Sequence, residues 1–483
     1  MKYTLTEDFN KYSKENELDL ELNMFLFSAK NMTVGSDNYE STIDVLLKKK
    51  STEYALYVYD PLHTRRYAPH FVDLKEMLGE EYINTFSYDA YQTSVYEDQW
   101  VSLPIFLKYK ALYSNKIYLE KYKREVPQTW DELIETSEYI INKERENNNF
   151  NLVGYNGLFP NGENAMCSIY EFIYSFRETK ESPFPGFNSQ TAVDALNILK
   201  KVKEKTSNDE TFRSDEKYNL NMILSGNILF STLWDGMPLS DYKETPLPGK
   251  NKDVNGSCLG GFNIGISKYI SKENIFAALK VIKFFTSEEE QKKIASTYGV
   301  RSSVKNIYND EEFCKKVDCE FSKNVQGITR PSSNFENYEQ YSSKVMSIFN
   351  KFLFGNKSAK EALTEIDNIT RIHVFSYKNF MDVENGRNYN ICKYSNTGKV
   401  ITVFQGITIG LVKGKGKLLG STNQPSIIKN TFLSSIEDTQ ISTEKSETES
   451  KPTVELKSKS KYKILNYHYY TGINTSNDKH FFL

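Results

Sequence analysis

Five histidines (His63, His70, His373, His468, His480) and five cysteines (Cys167, Cys258, Cys314, Cys319, Cys392) are the side chains of this 483-residue chain best suited to ligating a metal or attacking a substrate. Neither set is spaced for that work: there is no HExxH, no CxxC and no paired-histidine pattern. The sequence also lacks GxSxG and a Walker A loop, and the GKGKLLG run at Gly414 to Gly420 has the wrong glycine spacing for a dinucleotide. Adjacent carboxylates at Glu80-Glu81 and Glu288-Glu289-Glu290 fall at helix starts, where the positive end of the helix dipole accounts for them. No catalytic constellation, metal site or cofactor site is expected. What stands out is 33 Tyr and 30 Phe in a chain of net charge -2 and mean hydropathy -0.57. With no basic field for nucleic acid and no apolar run long enough to span a bilayer, that composition suits aromatic-lined clefts.

The elements that must position such a cleft alternate along residues 1 to about 372. Thr6 to Glu17 has helical spacing, Leu20, Leu22, Met24 and Leu26 alternate like a strand, and Tyr54 to Tyr59 is a short apolar run before Asp60-Pro61, a βαβ rhythm. Thr129 with Glu132, Ser287 with Glu290 and Ser358 with Glu361 have capping-box spacing, and Gly299 is placed to end the helix opened by Ser287. From 413 onward the chain is rich in Lys, Ser, Thr and Glu, so 421-483 is expected to be disordered and to add no stability. The start, Met1 to Leu5, has no signal-peptide pattern. Sequons at Asn31, Asn255, Asn356, Asn368 and Asn474 suit an extracellular setting.

Several segments resemble one family in order. VPQTWDEL (Val126 to Leu133), QWVSLPIFLKYKALYSNKIYLEKY (Gln99 to Tyr122), GNILFSTLWDG (Gly226 to Gly236), Gly260 to Ser303, and RPSSNFENYEQYSSKV followed by LFGNKSAKEAL are similar to blocks of the family 1 extracellular solute-binding proteins, the maltose-binding-like type II periplasmic-binding group. The wording of Gly154 to Pro185 and of EEFCKKVDCEF (Glu311 to Phe321) further resembles solute-binding ectodomains of anaerobic gut fungi, often fused to class C G-protein-coupled receptors. In those fusions seven helices follow a segment like Ala362 to Ile372. Here Phe380 to Val400 resembles a receptor loop instead, and 373-420 reads as a remnant linker.

The resemblance implies a two-lobed α/β fold with a central hinge: lobe 1 from 1-108 and 260-310, lobe 2 from 109-259 and 311-372. It implies a non-catalytic, monomeric binder of a small solute, a mono- or oligosaccharide by expectation, closing its lobes on the ligand. The setting would be extracellular, as a receptor-like ectodomain or an ABC-transporter-type uptake protein, with a membrane involved only through a seven-helix domain outside this chain. The family's first strand would precede Thr6, so lobe 1 is expected to lack a strand. Sugar binding needs flat aromatic faces and in-plane hydrogen-bonding groups. On family positions these would be Trp234 as a stacking ring, Asp60 on ligand hydroxyls, Lys108 at the hinge, Tyr341 as a second ring, and Tyr155 and Asn156 on the lobe 2 wall. Cys314 and Cys319, five apart, are expected to pair in an oxidising compartment.

Overall fold

The computed structural model describes residues 2-26, 39-335, 337-384, 399-404, 407-413 and 461-466. The sequons at Asn31 and Asn474, Cys392, and the tail outside 461-466 lie beyond the described residues. The strands are β1 (Glu21–Leu26), β2 (Leu56–Tyr59), β3 (Val95–Tyr96), β4 (Gln99–Trp100), β5 (Leu103–Asn115), β6 (Val153–Asn156), β7 (Ile228–Trp234), β8 (Tyr242–Thr245), β9 (Ser257–Ile266), β10 (Gly327–Ile328), β11 (Lys399–Phe404), β12 (Ile407–Lys413) and β13 (Lys461–Asn466). The helices needed below are α1 (Lys2–Glu15), α2 (Trp130–Glu146), α3 (Glu163–Tyr174), α4 (Glu288–Tyr298), α5 (Tyr338–Leu353) and α6 (Ala359–Glu384). Two compact units are present, residues 1-377 with 459-483, and 378-458. The second unit contains the antiparallel β11-β12 hairpin.

In the first unit the strand order is β1-β13-β2-β9-β5-β7-β6, with β10 on β9 and β8 on β5. β5 and β9 make this one system. The thirteen residues of β5 are buried except the half-buried Lys108; its first half pairs with β9 and its second with β7 and β8. The β5-β9 ladder shifts register between Pro104 and Phe106. Opposite that shift Gly261 takes φ +110, and a Cβ there would stand 2.3 Å from the Phe106 carbonyl oxygen, so only glycine fits.

Two large cores flank the crossing strands. One gathers Phe9, Leu22, Leu56, Leu103, Ile264 and Phe285; the other gathers Leu133, Ile169, Leu196, Phe230, Phe349 and Leu363. Apolar burial on this scale, about 25 cal/mol per Å2, drives both halves to fold. Phe313 and Cys319 pack in the first core, although the sequence-based division put 311-372 in the second lobe. They pack there with Ile307 and Val304, and the local Cys314-Cys319 disulfide closes that stretch on itself.

Local signals read from the sequence recur in the backbone. Thr129 and Glu132 make a reciprocal capping box at α2, as do Ser358 and Glu361 before α6. At α4 the exchange is one-sided: Ser287 accepts the Glu290 N–H, but Glu290 Oε1 is buried without a partner. Gly299 closes α4 at φ +61.

Three segments beyond residue 372 have describable backbone. α6 runs on to Glu384, so a helix occupies the start of the supposed 373-420 linker. Lys399–Phe404 and Ile407–Lys413 pair as antiparallel strands, their apolar residues alternating in sequence. In the tail, Lys461–Asn466 forms β13, parallel to β1 on one side and to β2 on the other. No helix among the described residues is long and apolar enough to cross a membrane.

Candidate interlobe ligand site

β2 is buried throughout and delivers Asp60 at its end. The Asp60 carboxylate accepts the Leu62 N–H at 2.8 Å, capping the turn Pro61–His63. From the other half, β10 pairs with the start of β9 and brings in Arg330 just before Pro331. Arg330, 5% exposed, pairs with Asp60 and lies 3.8 Å from Glu163 at the start of α3. One guanidinium thus joins a carboxylate of the first half to one of the second. Tyr338 donates to Glu163 at 2.7 Å. Beside them Arg65 donates to the Ser333 carbonyl at 2.8 Å, and Arg66, paired with Asp44, reaches within 3.7 Å of Glu339.

The electrostatics follow from burial. Burial raises the Glu163 pKa, and Arg330 holds it down. Burial lowers His63 to about 4, so its ring is neutral at pH 7. The cavity between Leu62, Gln92, Tyr96, Leu259, Thr329 and Ser332 has a volume of about 20 Å3. That holds a water molecule but falls far below the ~300 Å3 of a small-ligand pocket. In this arrangement the two halves are in contact, and the space between them is water-sized.

Trp234 ends β7 opposite Lys110 of β5. Its half-buried ring packs on Gly260, where a Cβ would come within 2.8 Å of it. The Lys110 ammonium lies 5.9 Å from the ring centre and donates to the Asn164 carbonyl at 2.7 Å and to Ser168 Oγ at 2.8 Å. Asn164 follows Glu163 in α3, so Trp234 connects through Lys110 to the wall that holds Glu163. Behind Lys110 burial pushes the Glu171 carboxyl up to about 7, while the ammonium, 3.8 Å away, opposes the shift.

The remaining expected residues are elsewhere. Lys108 donates to the Asp235 carbonyl at 2.6 Å in a second ionic cluster. There Arg301 Nε reaches Asp235 Oδ2 at 2.7 Å, another Arg301 nitrogen pairs with Glu244, and Nη1 donates to the Asp318 carbonyl at 3.0 Å. Burial and the like charge of Asp235 raise Glu244. Tyr341 is fully buried, stacked on Phe335 with ring centres 3.8 Å apart, and its hydroxyl pairs with Tyr170 and Thr370. Tyr155 bonds Thr232 at 2.8 Å and packs on Trp130 and Phe212. Asn156, fully buried, donates to the Thr211 carbonyl and to Ser214, and accepts from the Leu158 N–H. These three are core residues because their polar atoms are satisfied inside the second half. Sequence reasoning missed Arg330, Glu163 and Arg301. Arg330 beside Pro331 was a visible signal, since a fixed turn after an arginine aims its side chain.

Two crossing strands between separate cores, with charged groups meeting across the gap, define a two-lobed binding protein. The sequence profile described as "Bacterial extracellular solute-binding protein" matches residues 31–320, and the chain belongs to that family, whose members bind solutes and do not catalyse reactions. It is 23% identical over 285 residues to a probable ABC transporter-binding protein of Deinococcus radiodurans, covering 56% of this chain and 67% of that protein. It is 24% identical over 251 residues to a multiple sugar-binding protein of Streptococcus mutans, covering 49% of this chain and 59% of that one. In fold it is similar to maltose-bound T. maritima MalE3, with a TM-score of 0.61 and 21% identity over 77% of this chain and 96% of the other.

Proposed function

We propose that the protein binds a carbohydrate between its lobes, Asp60 and Arg330 hydrogen-bonding hydroxyls and Trp234 offering a ring face. The observation that carries this reading is Arg330 spanning Asp60 and Glu163 across the gap, because charged groups there exchange partners with ligand hydroxyls when the lobes move. The sugar named for the Streptococcus mutans relative and the maltose of the similar structure support the ligand class. In this reading lobe 1 comprises about 1-108 and 260-319 and lobe 2 about 109-259 and 320-372. Lys108 is a hinge residue, and the binding form is a monomer in an extracellular setting.

Two settings fit that activity. The sequence resemblance to gut-fungal receptor ectodomains favours a receptor-like module; the Deinococcus relative's description favours capture for an ABC transporter. Calorimetric titration of the full chain with mono-, di- and oligosaccharides tests the proposal. A saturable heat with one sugar, weakened at least tenfold by Asp60→Asn, is expected; no heat with any sugar would contradict it.

A further inference from the structure

β1 and β2 follow one another in sequence, separated by the helix Tyr39–Lys48, yet share no ladder. Both pair with β13 instead, each in parallel. The contact with β1 covers six register pairs, from Glu21↔Lys461 to Leu26↔Asn466. With β2 it covers two, Ile464↔Leu56 and Leu465↔Tyr57. The slot is therefore one strand wide, and its walls are buried: Leu22, Leu56, Tyr57 and Val58 are at most 1% exposed. Main-chain N–H and C=O groups on such walls must be paired, and a strand held on both sides by ladder bonds pairs them.

The occupant comes from far along the chain. No hairpin ties β13 to either neighbour, and the residues before it, 378-458, form a separate compact unit. A strand held by main-chain pairing and delivered on a long connection is exchangeable in principle with any strand of suitable register, the physics of strand addition and of domain swapping. β2 also carries Asp60 at its end, so the slot borders the ligand site.

We propose that the gap between β1 and β2 is a strand-acceptor site whose occupant is the chain's own Lys461–Asn466 segment, and that its occupancy holds the first lobe together. The test keeps the full chain: a specific protease site is placed within 421-458, the folded protein is cleaved, and the products are separated by size. The C-terminal fragment should stay with the body. Leu465→Pro, which removes an N–H at a doubly paired position, should release it and lower the melting temperature by roughly 5-10 °C. A fluorescent peptide spanning 459-468 should bind the stripped body and restore the melting temperature. A dimer joined through this segment would support the site equally, with the strand supplied by the second copy. Release of the wild-type fragment without change in melting temperature would overturn the proposal, as would equal retention of the Leu465→Pro fragment. These readouts need no sugar, so they stand apart from the carbohydrate reading.

Discussion

Two arginines bridge carboxylates, Arg301 in the cluster that holds the proposed hinge residue Lys108 and Arg330 at the proposed latch, and their surroundings differ. Arg301 holds Asp235 and Glu244, and its own backbone pairs in both directions with Leu107 of β5. Around it the loops are locked: at Gly236, φ +77, a Cβ would fall 1.7 Å from the Gly299 carbonyl oxygen. No side chain can enter, so parting the chains there breaks a packed contact. Arg330 is as buried as Arg301, but it lines the small cavity between the halves. In the proposed opening, water replaces these bonds. In the proposed motion the bonds of Arg330 are the ones exchanged for water and ligand, while those of Arg301 are kept.

Breaking the hinge should cost most. Arg301→Met leaves Asp235 and Glu244 buried and facing each other, and urea denaturation should show a loss of about 3-5 kcal/mol. A loss under about 1 kcal/mol would erase the distinction between the clusters. Arg330→Met also strips a buried cation from Asp60 and Glu163, so its stability loss should be of the same order, about 3 kcal/mol, and a loss well below that of Arg301→Met would show that the pair hydrates as the lobes part. At the latch an effect should also fall on binding. Trp234→Ala should weaken sugar affinity about thirtyfold, ~2 kcal/mol, with melting little changed; unchanged affinity by calorimetry would make Trp234 a packing residue.

A carboxyl outside both clusters gives the smallest effect and a control. Burial raises Glu290 to about 7, so the folded state holds a proton that the unfolded state has released. Stability contributed by that proton is present below the unfolded value near 4.5 and is lost as pH rises through about 7. Glu290→Gln should therefore stabilise the protein by about 1 kcal/mol at pH 8 and hardly at all at pH 4. A gain equal at both pH values would show that the carboxyl does not titrate there.

Much of this was legible before any coordinates. Alternation, capping pairs and Gly299 located the elements because those signals are local. The place of Asp60 at the end of an apolar strand before a proline turn was readable for the same reason. The burial of Tyr341, Tyr155 and Asn156 was not readable, because an aromatic or amide at a strand or helix end reads alike whether it faces a cleft or a core; burial is decided by distant partners such as Phe335, Thr232 and Thr211. Arg330 and Glu163 were missed for the same reason, being 167 positions apart and meaningful only as a pair. β13 was hidden because a polar stretch surrounds it, and its place is set by a gap between strands more than 400 residues earlier.

The central claim is that the lobes part to admit a sugar and latch upon it. Spin labels at Tyr88→Cys and Phe150→Cys, exposed positions on the first and second halves, report the separation of the lobes by dipolar spectroscopy. Without sugar the distance distribution should be broad and extend beyond the value set by the latched structure. With a sugar whose binding calorimetry has established, it should collapse to that single value. An identical distribution with and without bound sugar would contradict the account.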